Sequence, residues 1–68
     1  MVDIRKRLGK NLRKIITQRK SNLERFAYEA HISRAYVYDI ANGKANVSIT
    51  MLQRIAKVLK IKPQDLIS

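Results

Sequence analysis

The sequence contains no cysteine, one histidine, one proline, and five acidic residues against fifteen basic ones. Without cysteine there is no disulfide and no thiolate metal site, and a single histidine cannot build a metal centre alone. No apolar run approaches the roughly 18 residues that a membrane-spanning helix needs. The basic start does not lead into the continuous apolar segment of a secretory signal. These absences fit a cytoplasmic protein. The few carboxylates read as caps or helix surface at Asp3, Glu24, Glu29 and Asp65, and no nucleophile–base constellation is visible. Neither an enzyme, a cofactor nor a small-molecule ligand is expected.

What is present is positive charge and helical periodicity. The formal net charge is +10 over 68 residues, of which 46% are hydrophobic. Such an excess favours a polyanion: DNA, RNA or an anionic membrane surface. The hydrophobic content is too high for compositional disorder. A chain this short holds one small core, so close helix packing, aided by dimerisation, has to supply the stability that disulfides and metals do not.

The centre of the chain is Ser21 to Gly43, SNLERFAYEAHISRAYVYDIANG. It reads as two short helices joined by a tight turn. Phe26, Ala27 and Ala30 form the inner face of the first, and Val37 and Ile40 that of the second. Ser33 starts the second by accepting a free backbone N–H of its first turn. Asn42-Gly43 stops it, since glycine takes the left-handed conformation that ends helices. Ser21 to Glu24 has the form of a capping box for the first helix. Asn22 is the alternative cap, one residue later. A helix as short as 34–41 is unstable alone, so its exposed Arg34, Tyr36, Tyr38 and Asp39 look chosen for contact.

On either side the periodicity continues. Ile4, Leu8, Leu12, Ile15 and Ile16 mark an amphipathic helix over 4–19, with Asp3 as its N-cap and Gly9 permitting a close approach. Its basic residues lie mostly off the apolar stripe, either as a solvated face or as phosphate contacts. After a loop over 43–47, Ser48 caps a helix over 49–60 with Met51, Leu52, Ile55, Ala56, Val58 and Leu59 inward. Pro63 suits a helix start, so Pro63 to Ile67 reads as a last short turn. No strand, repeat or interdomain linker is visible. The expectation is one all-α domain over 1–68, with four helices and a short fifth.

Three stretches, LGKNLRKIITQRK, LERFAYEAHISRAYVYDIANGK and NVSITMLQRIAKVLKIKPQDLI, carry a resemblance that runs without a gap from Leu8 to Ile67. Their most specific parts are F-A-x-x-A-x-I-S-R, V-x-x-I-x-N-G-K and L-x-x-I-A-K-x-L. The chain resembles the lambda-repressor-like, or Cro/XRE-type, helix-turn-helix DNA-binding domain. The resemblance implies that the third helix lies in the major groove and the second crosses the backbone above it. By position, base readout falls to Arg34, Ala35, Tyr38 and Asp39. A guanidinium can donate twice to guanine O6 and N7; Asp39 is expected to orient Arg34 or another basic side chain. Asn22, Ser33, Tyr36, Asn42, Lys44 and Asn46, with Ser48 as a further candidate, fall on the backbone-contacting positions, which position the protein without reading sequence. One of Tyr36 and Tyr38 is open to packing over the turn instead.

The chain departs from the family pattern at three places. Leu23 stands where many relatives have a backbone-contacting Gln, and serves either packing or a partner surface. His31 stands where the turn usually has Gly. Ile16 and Ala41 together replace a frequent Arg–Glu pair, which is coherent because losing one partner would strand a charge; the two are expected in or near contact.

The resemblance implies a sequence-specific double-stranded DNA-binding transcriptional regulator of prokaryotic or phage type, most simply a repressor. It is expected as a homodimer with Ile61, Leu66 and Ile67 as the candidate interface, or as the closing edge of the core. The competing class is an antitoxin-like or other protein-interaction module that also binds DNA. A membrane-surface role for the basic first helix is disfavoured by the matched later helices.

Overall fold

The computed structural model describes residues 3–68. Five helices follow in order: α1 Ile4–Gln18, α2 Leu23–Ala30, α3 Arg34–Ala41, α4 Ile49–Leu59 and α5 Pro63–Ile67. Among the described residues there is no strand. The helix starts follow local chemistry. Asp3, Asn22, Ser33 and Ser48 each accept a backbone N–H of the helix they precede. Asn22, not Ser21, caps α2, its Oδ1 accepting from the Arg25 N–H at 2.7 Å. The Ser21 capping box therefore does not form. Asp3 also takes a side-chain bond from Arg5, and this with the Arg5 backbone N–H holds its carboxyl below the usual range.

The first four helices end alike. Lys20, His31, Gly43 and Lys60 all take the left-handed conformation, with φ of 55°, 57°, 74° and 58°. In each case the next residue's N–H reaches back to the last turn: Ser21 to Ile16, Ile32 to Ala27, Lys44 to Asp39 and Ile61 to Ala56. This is the Schellman closure, and it ends α1 and α4 one residue earlier than the periodicity suggests. Ile32 and Ile61, which follow two of these turns, pack against the core.

α1 lies against α3 and α5, and α2 packs on α3 and α4. Leu12, Val37, Ile55 and Leu66 at the centre have no exposed surface. Gly9 marks the closest approach: a Cβ there would sit 2.5 Å from the Ala41 carbonyl oxygen and 2.6 Å from that of Ile40. Ile16 and Ala41 both lie buried in the same core. Leu23 is buried, at 8% exposure, and serves packing. Leu66 is fully buried, so it closes the core and cannot form a dimer contact; Ile61 and Ile67 are half-buried against the same core.

Helix C-termini leave carbonyls without partners, and side chains from neighbouring helices take them. Arg13 Nε donates to Ala41 O at 3.2 Å at the end of α3. Arg19 donates to Leu59 O at the end of α4. Arg54 reaches His31 O beyond α2 at 3.3 Å, and Asn11 Nδ2 reaches Leu66 O at 2.9 Å. A cation at a helix C-terminus is also favoured by the macrodipole. Arg13, Arg19 and Arg54 are thus structural clamps, whatever else they touch.

Candidate nucleic-acid interface

Eight residues cannot hold a helix by propensity. α3 is held by three devices. Val37, Ile40 and Ala41 are buried beneath it. Ser33 Oγ accepts the Tyr36 N–H at 3.1 Å at its start. Arg13 and the Gly43 closure fix its end. What remains outward is Arg34, Ala35, Tyr38 and Asp39, all exposed. These are the four residues expected to read bases, and the fold presents them together on one anchored helix.

Within that set the electrostatics differ from expectation. Arg34 Nη1 lies 2.9 Å from Glu24 Oε1, so the carboxylate orienting it comes from α2 and not from Asp39. Asp39 is exposed and makes no ion pair among the described residues. Tyr36 is half-buried against the core, the tyrosine that packs, whereas Tyr38 is 41% exposed.

The expected backbone contacts occupy the ends of α2 and α3. Asn22 and Ser33 are exposed caps whose side-chain oxygens are engaged by backbone N–H groups. Asn42 is exposed, and its Oδ1 accepts from Arg13 Nη2 at 2.6 Å. Lys44 and Asn46 are exposed in the loop before α4, and Ser48 is used as its cap.

Between α1, α2 and α3 lies an open hollow of about 390 Å³, lined by Arg13, Ile16, Thr17, Ser21, Asn22, Leu23 and Tyr38. It places Tyr38 beside Asn22 and adds two residues that sequence reasoning did not single out, Arg13 and Thr17. Their i, i+4 spacing on the polar side of α1 was the available signal. The hollow offers an arginine, two hydroxyls besides the Tyr38 phenol, and the α2 N-terminus, donors suited to an anion.

A second surface is apolar. Ile4 and Ile49, 60% and 76% exposed, flank a depression of about 220 Å³ whose walls include Leu8, Val47, Leu52 and Ile67. No helix among the described residues is long and apolar enough to cross a membrane.

Comparison with known proteins bears on the family and the fold. The family model of the Cro/C1-type helix-turn-helix DNA-binding domain matches residues 11–68. Control protein C.BamHI of Bacillus amyloliquefaciens is 37% identical over 67 residues, which cover 96% of this chain and 82% of that protein. Control protein C.MunI of a Mycoplasma species is 39% identical over 70 residues, covering 100% and 93%. Among solved structures, the restriction-modification controller protein C.AhdI from Aeromonas hydrophila superposes with a TM-score of 0.84 at 29% identity, over 91% of this chain and 94% of that one.

Proposed function

The chain belongs to the Cro/C1-type helix-turn-helix DNA-binding domain family, and from that premise we propose that it regulates transcription by sequence-specific binding of double-stranded DNA, in the manner of a restriction-modification controller. The observation that carries the reading is α3: a helix too short to stand alone, anchored at both ends and beneath, with Arg34, Ala35, Tyr38 and Asp39 left outward. A helix of this size fits the major groove, and a guanidinium at its first turn matches guanine O6 and N7. Ala35 is small enough to meet a thymine methyl. Asn22, Ser33, Asn42, Lys44 and Asn46 hold phosphates around it, with Thr17 meeting the backbone at the hollow. The net charge of +10 supplies long-range attraction.

A homodimer completes the reader, because one short helix covers few base pairs and two copies multiply affinity and specificity. The surface we assign to the second copy is the apolar depression with Ile4 and Ile49 at its rim, since the buried Leu66 is not available. Its similarity to the restriction-modification controller protein C.AhdI supports assigning it to the control of a restriction-modification system, and it works in the cytoplasm.

The test is selection from a random duplex pool at about 150 mM salt, followed by sequencing. The expected result is an enriched motif with two related half-sites. Uniform, salt-sensitive binding without a motif would reduce the protein to a non-specific polycation.

A further inference from the structure

We propose that Arg13 is a positioning residue for DNA, acting through Asn42: it fixes the Asn42 side-chain amide so that its NH₂ group is presented to a phosphate. The proposal rests on the backbone role given to Asn42 above.

Arg13 Nη2 donates to Asn42 Oδ1 at 2.6 Å, and Arg13 Nε donates to Ala41 O at 3.2 Å. One side chain on α1 therefore grips both the last residue of α3 and the residue that caps it. A guanidinium has donors only, whereas an asparagine amide has a carbonyl on one side and two N–H donors on the other. Contact with Arg13 thus selects the amide's orientation: the carbonyl faces the arginine, and the NH₂ group is left over. No hydrogen bond among the described residues engages Asn42 Nδ2. The Asn42 backbone is fixed as well, with its N–H on Tyr38 O at 2.9 Å and the left-handed Gly43 closing the turn behind it. Without Arg13 an exposed amide can turn its oxygen outward, where it would repel a phosphate. With Arg13 the bond is charge-assisted and the donor face is preset.

The role differs from that of a basic residue touching DNA directly. A cation that neutralises a phosphate contributes about 0.9 to the slope of log affinity against log salt. A neutral amide held in place by that cation contributes affinity without that slope.

The experiment is a double-mutant cycle on the full chain: Arg13→Gln, Asn42→Ala and both together, measured by fluorescence anisotropy on selected and scrambled duplexes across a salt series. Thermal melts confirm folding. If Arg13→Gln unfolds the protein, Arg13→Lys takes its place under the same criterion. We expect Arg13→Gln to weaken both duplexes about 5- to 10-fold, on the scale of one ordinary hydrogen bond. The loss should be under about 2-fold once Asn42 is alanine, with the salt slope unchanged. Equal losses in both backgrounds overturn the proposal, and a slope lower by about 0.9 would identify Arg13 as a phosphate contact itself. Wild-type affinity in Asn42→Ala overturns it along with the role of Asn42, while leaving DNA binding intact. A wild-type chain that binds no duplex, or binds selected and scrambled duplexes alike, refutes the broader reading instead.

Discussion

Arg34 Nη1 rests 2.9 Å from Glu24 Oε1, so the guanidinium assigned to guanine is parked on a carboxylate of the neighbouring helix. Both side chains are about two-thirds exposed, and exposed ion pairs contribute at most about 1 kcal/mol. The pair can therefore orient Arg34 in the free protein and yield when a base edge competes. Glu24→Gln frees Arg34 and removes a negative charge near the phosphates. Affinity for specific and scrambled duplexes should rise roughly 2- to 5-fold, with little change in melting temperature. A fall in specific affinity would mean that Glu24 holds Arg34 in its binding pose.

The ends of the helices separate what the sequence discloses from what it cannot. Asp3, Ser33 and Ser48 act on N–H groups within three residues of themselves, so their caps are readable from local spacing. The same locality made Asn42-Gly43 legible. Lys20 and Lys60 gave no such cue, because their left-handed turns are set by where the following chain must pack. Arg13 and Arg19 stood among the α1 basic residues left open between a solvated face and phosphate contacts, and nothing local marks Arg54; the carbonyls these three clamp belong to helices distant in sequence. Arg34, Tyr38 and Asp39 were legible as the outer face of α3, but Tyr36, assigned to the same face, is half-buried, and Ala35 came from the family resemblance. The partner of Arg34 was not legible, since Glu24 lies ten residues earlier on another helix. Leu66 was left open between a dimer interface and the closing edge of the core because a short terminal helix has too few turns to show which side faces inward; it closes the core.

Gly9→Ala tests the crossing of α1 and α3. A methyl there meets the Ala41 and Ile40 carbonyl oxygens at 2.5 and 2.6 Å, so backbone must move. Although alanine favours a helix by about 1 kcal/mol, overpacking at this contact should dominate. Chemical denaturation should show a net loss of about 1–3 kcal/mol. Equal or higher stability would contradict the close crossing.

Ile49→Asp addresses the apolar depression. Ile49 is 76% exposed at the first position of α4, so an acid there suits the helix and spares the core. Sedimentation should show self-association weakened by about tenfold or more, the effect of losing a buried anchor at an interface. An unchanged dimer would move the interface elsewhere.

Lys44→Ala removes an exposed loop cation assigned to a phosphate. Anisotropy titrations should show selected and scrambled duplexes weakened alike and a salt slope lower by about 0.9. A loss confined to the selected duplex would make Lys44 a base reader.

The central claim is that α3 reads sequence through Arg34, and selection carried out in parallel with the wild type and Arg34→Ala tests it most directly. The wild type should enrich a motif with a guanine at one fixed position of each half-site. Arg34→Ala should bind that motif about 1–3 kcal/mol more weakly and relax the preference at that base pair alone, leaving the half-site spacing intact. An unchanged motif from the variant would place readout on other residues, and the absence of a motif from the wild type would contradict sequence-specific recognition itself.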